Sequence, residues 1–342
     1  MKTILNKVPL VIIAIITFTG CEKDPAEITI PDKTFLNTLI ELGVDTNGDS
    51  IISPAEAAKI TNLNVLNRSI SELTGIEAFV NLDTLDCGLN QLTSLNVSKN
   101  TNLRYLNCSG NQLTSLDVSN NKVLKKLTCF YNQLASLDFS NNILLTWLEC
   151  EFNQLTDLDI SKNTNLRTLS CYKNKLTSLD ISKNTALDGL DCSTNQLTSL
   201  DVSNNILLTG LDCSGNQLTD LDISKNVSLV ALGCWNNQLT DLDISKNTAL
   251  VNLWCGSNLL TDLDVSNNIA LRKLSCKYNQ LTTLDISNNT SIEELNISGM
   301  PSLYKVCVWE MPFPPSYPSY FVYVNKIDSP NVYFTTDCTS RK

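Results

Sequence analysis

Ten thiols are the residues of this chain whose type and spacing first suggest chemistry. Cys87, Cys108, Cys129, Cys150, Cys171, Cys192, Cys213, Cys234, Cys255 and Cys276 follow one another at an unbroken interval of 21 residues. A metal cluster or redox relay would need close partners of the Cys-x-x-Cys kind, and the chain has none. Thiols on neighbouring turns of a 21-residue coil would stand about 4.8 Å apart with parallel Cβ vectors, whereas a disulfide needs Cβ atoms about 3.8 Å apart. The ladder therefore reads as a column of small apolar core residues. There is no histidine, which removes Ser-His, Cys-His and histidine–metal chemistry. Glu149 and Glu151 are paired carboxylates of the kind hydrolysis uses, but no second domain builds a cleft around them.

A second constellation lies near the N-terminus. Apolar residues at helical spacing (Phe35, Leu36, Leu39, Ile40, Leu42) run to Gly43, and the stretch from Asp45 to Glu56 follows. Oxygen donors fall at loop positions 1, 3, 5, 9 and 12 as Asp45, Asn47, Asp49, Ser53 and Glu56, and the Ile51 carbonyl stands at position 7. That is the ligand spacing of an EF-hand and predicts structural Ca2+, with Glu56 bidentate and Pro54 opening a second short helix. Ser50 departs from the glycine usual at position 6. A metal-free Asp/Asn/Gly turn between two helices is the competing reading.

These residues are positioned by the repeat. From Leu82 to Ser291 the chain reads Leu-x-x-Leu-x-Cys-x-x-Asn-x-Leu-Thr-x-Leu-Asp-(Val/Ile)-Ser-x-Asn-x-x ten times, with a looser unit before it (Leu63, Val65, Ile70, Leu73, Ile76, Phe79) and a partial one after (Ile292, Leu295, Ile297). A period this short marks a solenoid, in which each unit buries its apolar side only against its neighbours. Leu85-Asp86-Cys87 alternates in and out, predicting a short parallel strand per turn and a concave sheet. Asn90 and its equivalents point inward to bond backbone groups that no sheet satisfies. The pattern resembles the leucine-rich repeat family, and its cysteine-bearing 21-residue form resembles the internalins, bacterial surface proteins. The resemblance implies an α/β leucine-rich repeat solenoid with a small helical N-terminal cap and a C-terminal β-type cap, and leaves the ligand open.

Outward strand positions are Thr84, Asp86, Gly88, Leu89 and their 21-residue successors. Of ten aromatics in the ten repeats, nine fall in these columns: Tyr105, Phe130, Tyr131, Trp147, Phe152, Tyr172, Trp235, Trp254 and Tyr278. With Lys126 and Glu149 they are the candidate ligand-binding residues, in one patch over repeats two to five and another over repeats eight to ten. Between them lies a small, acidic saddle (Gly189, Asp191, Ser193, Gly210, Asp212, Ser214). Charge-rimmed aromatics are protein-interface anchors, and the same rings could stack on sugars. Aromatics also favour strands without any partner. The opposite side carries Asp117, Asp138, Asp159 and their repeats, read as a plain solvated turn surface.

The ends complete the expectation. Lys2 and Lys7, an apolar run from Val8 to Phe18 and Phe18-Thr19-Gly20-Cys21 predict a signal peptide over 1–20. The last four residues resemble a lipobox, which implies acylation of Cys21, and Glu22-Lys23-Asp24 is similar to a surface-export signal of Bacteroidota lipoproteins. A tether over 21–31, the helical cap over 32–60, the solenoid over 61–299 and a cap over 300–342 follow. Cys307 and Cys338 stand outside the period, in a compartment where a disulfide can form, and are expected to pair. With 35 acidic against 25 basic residues and a net charge of −10, nucleic acid is disfavoured. The whole reads as a non-catalytic, monomeric outer-membrane lipoprotein at the cell surface, attached only by its lipid and binding a protein, or alternatively a glycan.

Overall fold

The computed structural model describes residues 27–314 and 322–338; Cys21 and the predicted signal peptide lie outside the described residues. The chain winds into a parallel coil. Three-residue strands begin at Asn62–Asn64 and Thr84–Asp86 and then recur every 21 residues to Lys273–Ser275. Glu294–Asn296 and Tyr323–Asn325 complete a thirteen-stranded parallel sheet. Register keeps like against like, as in Leu85 with Leu106 and Leu106 with Leu127, and the first spacing is one residue longer, pairing Leu63 with Leu85.

Each column has a physical reason. The middle strand leucine points into the core and its two neighbours point out, as at Thr84–Asp86. All ten ladder cysteines are free and fully buried. Burial pushes their thiols up, to about 12 at Cys108 and Cys276, so they are inert core filler.

The polar interior consists of two asparagine ladders. In the first, Asn111 Nδ2 donates to the carbonyls of Cys87, Cys108 and Ser109, and its Oδ1 accepts from Leu92 N–H, so that one amide ties two turns. The second was not singled out from the sequence. Asn121 is fully buried and donates to Val97 and Asn100 carbonyls, and the pattern continues to Asn289. On the convex side the aspartates form an exposed turn surface, as expected. Asp117, Asp138 and Asp159 accept the N–H of the serine two residues on, an Asx turn that bends the chain in every repeat.

The N-terminal cap is a helix, Lys33–Glu41, and a short one, Pro54–Ala57. Gly43 ends the first in the left-handed region, φ 75°. Asp32 accepts from Phe35 N–H and also from Ser71 and Glu72, which staples the helix to the first turn. The C-terminal segment takes the β form expected of a cap by prolonging the coil. Lys305–Cys307 and Tyr333–Thr335 join Thr283–Asp285 in a second parallel sheet. Cys307 and Cys338 form a disulfide across this last turn, with Cα atoms 5.4 Å apart.

The ladder carries a direct test. Asn195→Ala strands Leu176 N–H inside the coil and takes one of two donors from each of the carbonyls of Cys171, Cys192 and Ser193, and should cost about 2–3 kcal/mol, an unmet buried donor being worth that much. Guanidinium unfolding monitored by circular dichroism checks it, and a loss under about 0.5 kcal/mol would rule out the structural role.

Candidate functional site

Delivering Asn90 and its equivalents inward forces a reversal in the residue before each one. That residue has positive φ in all ten such turns: Leu89, Gly110, Tyr131, Phe152, Lys173, Thr194, Gly215, Asn236, Ser257 and Tyr278, between 50° and 64°; Asn67 and Gly299, ahead of Arg68 and Met300, keep the same reversal in the flanking turns. Only glycine takes this conformation freely, and an L side chain costs on the order of 1 kcal/mol there. Glycine is accepted at Gly110, Gly215 and Gly299, yet two adjacent turns hold Tyr131 and Phe152.

Their rings stack, centroids 3.9 Å apart and planes at 17°. Lys173, next in the same column, places its Nζ 4.4 Å from the Phe152 centroid. Phe130 meets Tyr131 edge-on at 5.7 Å and Tyr172 meets Phe152 at 5.0 Å. Four of the predicted rings thus form one cluster capped by a cation. Phe130 and Tyr172 are half-buried rather than fully presented, each lying edge-on against a ring of the stack. At the front of the sheet Lys126 sits 4.3 Å over the Trp147 ring, beside an exposed Tyr105 on the preceding strand. Glu149 accepts a hydrogen bond from Thr128 Oγ1 at 2.9 Å.

The second predicted patch is more open. Trp235, Trp254 and Tyr278 are exposed, and among the described residues they make no ring–ring contact; Lys277 Nζ lies 5.8 Å from the Tyr278 centroid. Between the two groups is a depression of about 300 Å3, lined by Thr168, Ser170, Gly189, Asp191, Gly210, Asp212, Gly233 and Trp254 among others. This is the small, acidic saddle of the sequence, to which the spacing alone assigned no role. Its acids in adjacent repeats were the available signal.

The N-terminal loop keeps its donors but binds them to itself. Asp45 accepts from Gly48 and Ser50 N–H, Asn47 Oδ1 from Asp49 N–H and Asp49 from Ile51 N–H. Ser50 takes the turn at φ 65° that a glycine usually supplies. Glu56 Oε1 accepts from Thr46 N–H and Oγ1, and its Oε2 from Ser53 N–H and Oγ. Those four donors hold Glu56 at about 2. Among the described residues, Asp45, Asp49 and Glu56 do not bring a carboxylate oxygen each within 4.8 Å of one another. As placed, Glu56 is a helix-capping residue.

No family model matches the chain. Over 71 residues, 21% of this chain, it is 40% identical to internalin J of Listeria monocytogenes serotype 4b (strain F2365), and the match spans 8% of that protein. The functional domain of InlJ from Listeria monocytogenes, which includes a cysteine ladder, superposes with a TM-score of 0.65 at 34% identity, over 81% of this chain and 74% of that domain. The chain belongs to the internalin-type leucine-rich repeat proteins. Another internalin, InlF of Listeria monocytogenes, shares the fold with a TM-score of 0.76 at 20% identity, over 94% of this chain and all of that one. So does the leucine-rich repeat ectodomain of the receptor kinase GASSHO1/SCHENGEN3 from Arabidopsis thaliana, with a TM-score of 0.60 at 22% identity, over 70% of this chain and 34% of that one.

The cap of this internalin-type coil should be acid-labile. Burial raises Asp32, but the Ser71 hydroxyl and the N–H groups of Phe35, Ser71 and Glu72 outweigh it and hold the acid at about 2. Both Asp32 and Glu56 are thus depressed in the folded state. Their contribution is fully present above the unfolded carboxylate range, near pH 4 to 5, and is lost as pH falls towards 2. Hydrogen exchange between pH 5 and pH 2 should expose residues 28–58 before the repeats. Protection there that matches the central turns at pH 2 would contradict the assignment.

Proposed function

We propose that this chain is an exported, lipid-anchored bacterial surface protein that captures a protein partner on its concave face, without catalysis. The observation that carries the proposal is the Tyr131–Phe152 stack. Two large rings are kept in a left-handed backbone where glycine would be easier and is used three times in the same column. The core imposes the backbone reversal, but not a bulky residue in it, and residues held in sparsely populated backbone conformations cluster at functional sites. Stacked and edge-on rings are already in place, so a partner would find contact area with little side-chain freedom left to lose.

Membership of the internalin type supports a recognition role and non-enzymatic character. The GASSHO1/SCHENGEN3 ectodomain was solved in complex with CASPARIAN STRIP INTEGRITY FACTOR 2, which places a partner on a fold of this kind. Attachment through Cys21, in Phe18-Thr19-Gly20-Cys21 after an apolar run, is part of the same proposal, as is an outward-facing position on the outer membrane. The exposed, separate rings Trp235, Trp254 and Tyr278 favour a glycan as the second reading.

Replacing Tyr131 and Phe152 together with glycine relieves the backbone while removing the stack. Stability should stay within about 1 kcal/mol of the parent, since relief and lost stacking are of similar size. Capture of a partner from surface extracts by the immobilised chain should fall at least tenfold. Undiminished capture would show that the stack is not the site. Competition by soluble polysaccharide, with no protein retained, would favour the glycan.

The capacity of Asp45, Asn47, Asp49, Ile51, Ser53 and Glu56 for calcium stands as a separate proposal, supported by their spacing and set against the closed state of Glu56. Millimolar calcium should raise the melting temperature of the parent relative to chelator, and should not do so for Asp45→Ala. Equal melting of the parent in both conditions makes the loop a metal-free cap.

A further inference from the structure

The depression between the two aromatic groups has a charge pattern that the ring stack leaves unexplained. Glu149, Ser170, Asp191 and Asp212 follow one another on neighbouring strands in register. Three strand spacings, about 14 Å, thus carry three carboxylates, and Glu151 adds a fourth one column away. Like charges side by side destabilise a sheet. The fold does not require them, since the same column holds Asn107, Thr128 and Ser275 elsewhere. Among the described residues the ion pairs are Glu41–Arg68, Asp83–Arg104, Glu293–Arg272 and Glu294–Lys273, and none involves these four acids.

A second observation is independent of the charge count. Glu151 is only 9% exposed, and its Oε2 is buried without a hydrogen-bond partner. Its side chain reaches the Ser170 hydroxyl, which is part of the wall of the depression. The floor is also kept bare. Neither Gly189 nor Gly210 has positive φ, and a Cβ at Gly210 would meet nothing within 4 Å. Glycine there opens space rather than relieving a clash. Gly233 lies between Asp212 and Trp254 in the register, and the Asp212 carboxylate leans over it, since a Cβ there would stand 2.7 Å from Asp212 Oδ1; the missing side chain lets the acid reach towards the exposed indole.

We infer that this depression receives the guanidinium of an arginine presented by the partner protein, stacked on Trp254 with Asp191 and Asp212 as its acceptors. The inference rests on the reading of the concave face as a protein-binding surface. Arginine suits the depression better than lysine, because its planar fork bonds carboxylates bidentately and stacks on an aromatic face. A cation also answers the unpaired row of acids. Burial, with repulsion from neighbouring acids, holds Glu151 and Asp191 above the ordinary carboxylate range. A guanidinium bound in the depression lies against Asp191 and lowers it, so affinity should rise with pH through that range.

The test uses the purified chain, with the Trp254 indole N–H resonance assigned through Trp254→Phe. Titration with Nα-acetylarginine methylamide should shift that resonance saturably in the millimolar range. The citrulline analogue, of the same shape but uncharged, should not, and an Asp191→Asn/Asp212→Asn variant should bind the arginine derivative at least tenfold more weakly. Equal binding of the citrulline analogue, or unchanged binding by the double variant, would overturn the inference. A neutral soluble glycan that shifts Trp254 where the arginine derivative does not would also overturn it. The Tyr131→Gly/Phe152→Gly chain should still bind the derivative. Absent arginine binding together with stack-dependent partner capture would therefore sink the pocket and leave the recognition surface standing.

Discussion

Every turn of this coil buries carbonyls that no strand reaches, and side-chain amides satisfy them. The constraint is severe because an unmet buried backbone group costs about as much as several ordinary contacts contribute. Asparagine is the residue that meets it. Its Nδ2 donates two protons, and in the first ladder its Oδ1 takes the N–H of the preceding turn. The period follows directly. An amide that must reach carbonyls 24 and 3 residues back fixes the turn at 21, and an insertion would break bonds on both sides. The cysteines are a consequence of this spacing. They fill the narrow column between amide and leucine, where a larger side chain would push the turns apart.

The same constraint shapes the exposed face. To aim Asn132 inward, Tyr131 must take a left-handed backbone. The strained column is therefore a by-product of the core, but its occupants are not. A coil under selection for stability alone would place glycine at each such position, as it does at Gly110, Gly215 and Gly299. The departures are unequal in meaning. Asn236 is at home in this conformation and Thr194 is not, and neither builds a surface feature. Tyr131 and Phe152 do, because they are consecutive and their rings meet.

The periodic part of the fold was legible in the sequence, because a solenoid repeats its physics as well as its residues. The strand alternation, the inward asparagine and the inert thiols each follow from one repeat and hold for ten. The second asparagine ladder was equally visible in the repeat formula, yet Ser-x-Asn reads as an ordinary polar turn until the burial of Asn121 is seen. The convex aspartates are the solvated turn surface expected of them, and only the Asx hydrogen bond that bends each turn lay beyond the spacing. The aromatic columns could be placed on one face from spacing alone. Which rings touch could not, because contact depends on a positive φ that sequence spacing does not encode. The end of the coil shows the opposite limit. Tyr323–Asn325 and Tyr333–Thr335 prolong both sheets without any leucine signature, so the β form of the cap and the pairing of Cys307 with Cys338 could be anticipated but the strands could not be placed.

Rigidity links these observations to recognition. Each inner strand is bonded on both sides and the asparagine-bearing turns are held by amides to the next, so the outward side chains of neighbouring repeats keep a fixed spacing near 4.8 Å. A surface of this kind does not adapt to a guest, and its specificity must be built in advance through the choice of residue at each repeat. Ring, cation, carboxylate and bare glycine are therefore best read as a sequence of choices along the coil. The Tyr131–Phe152 stack occupies the part where side-chain volume is added at a backbone cost. The Gly189–Gly210 floor occupies the part where volume is withheld at none. A partner complementary to both would present an apolar ridge to the first and a long cationic side chain to the second. That pairing separates one guest from another more sharply than either feature alone, because an apolar ligand gains nothing from Asp191 and a purely basic one gains little from the rings.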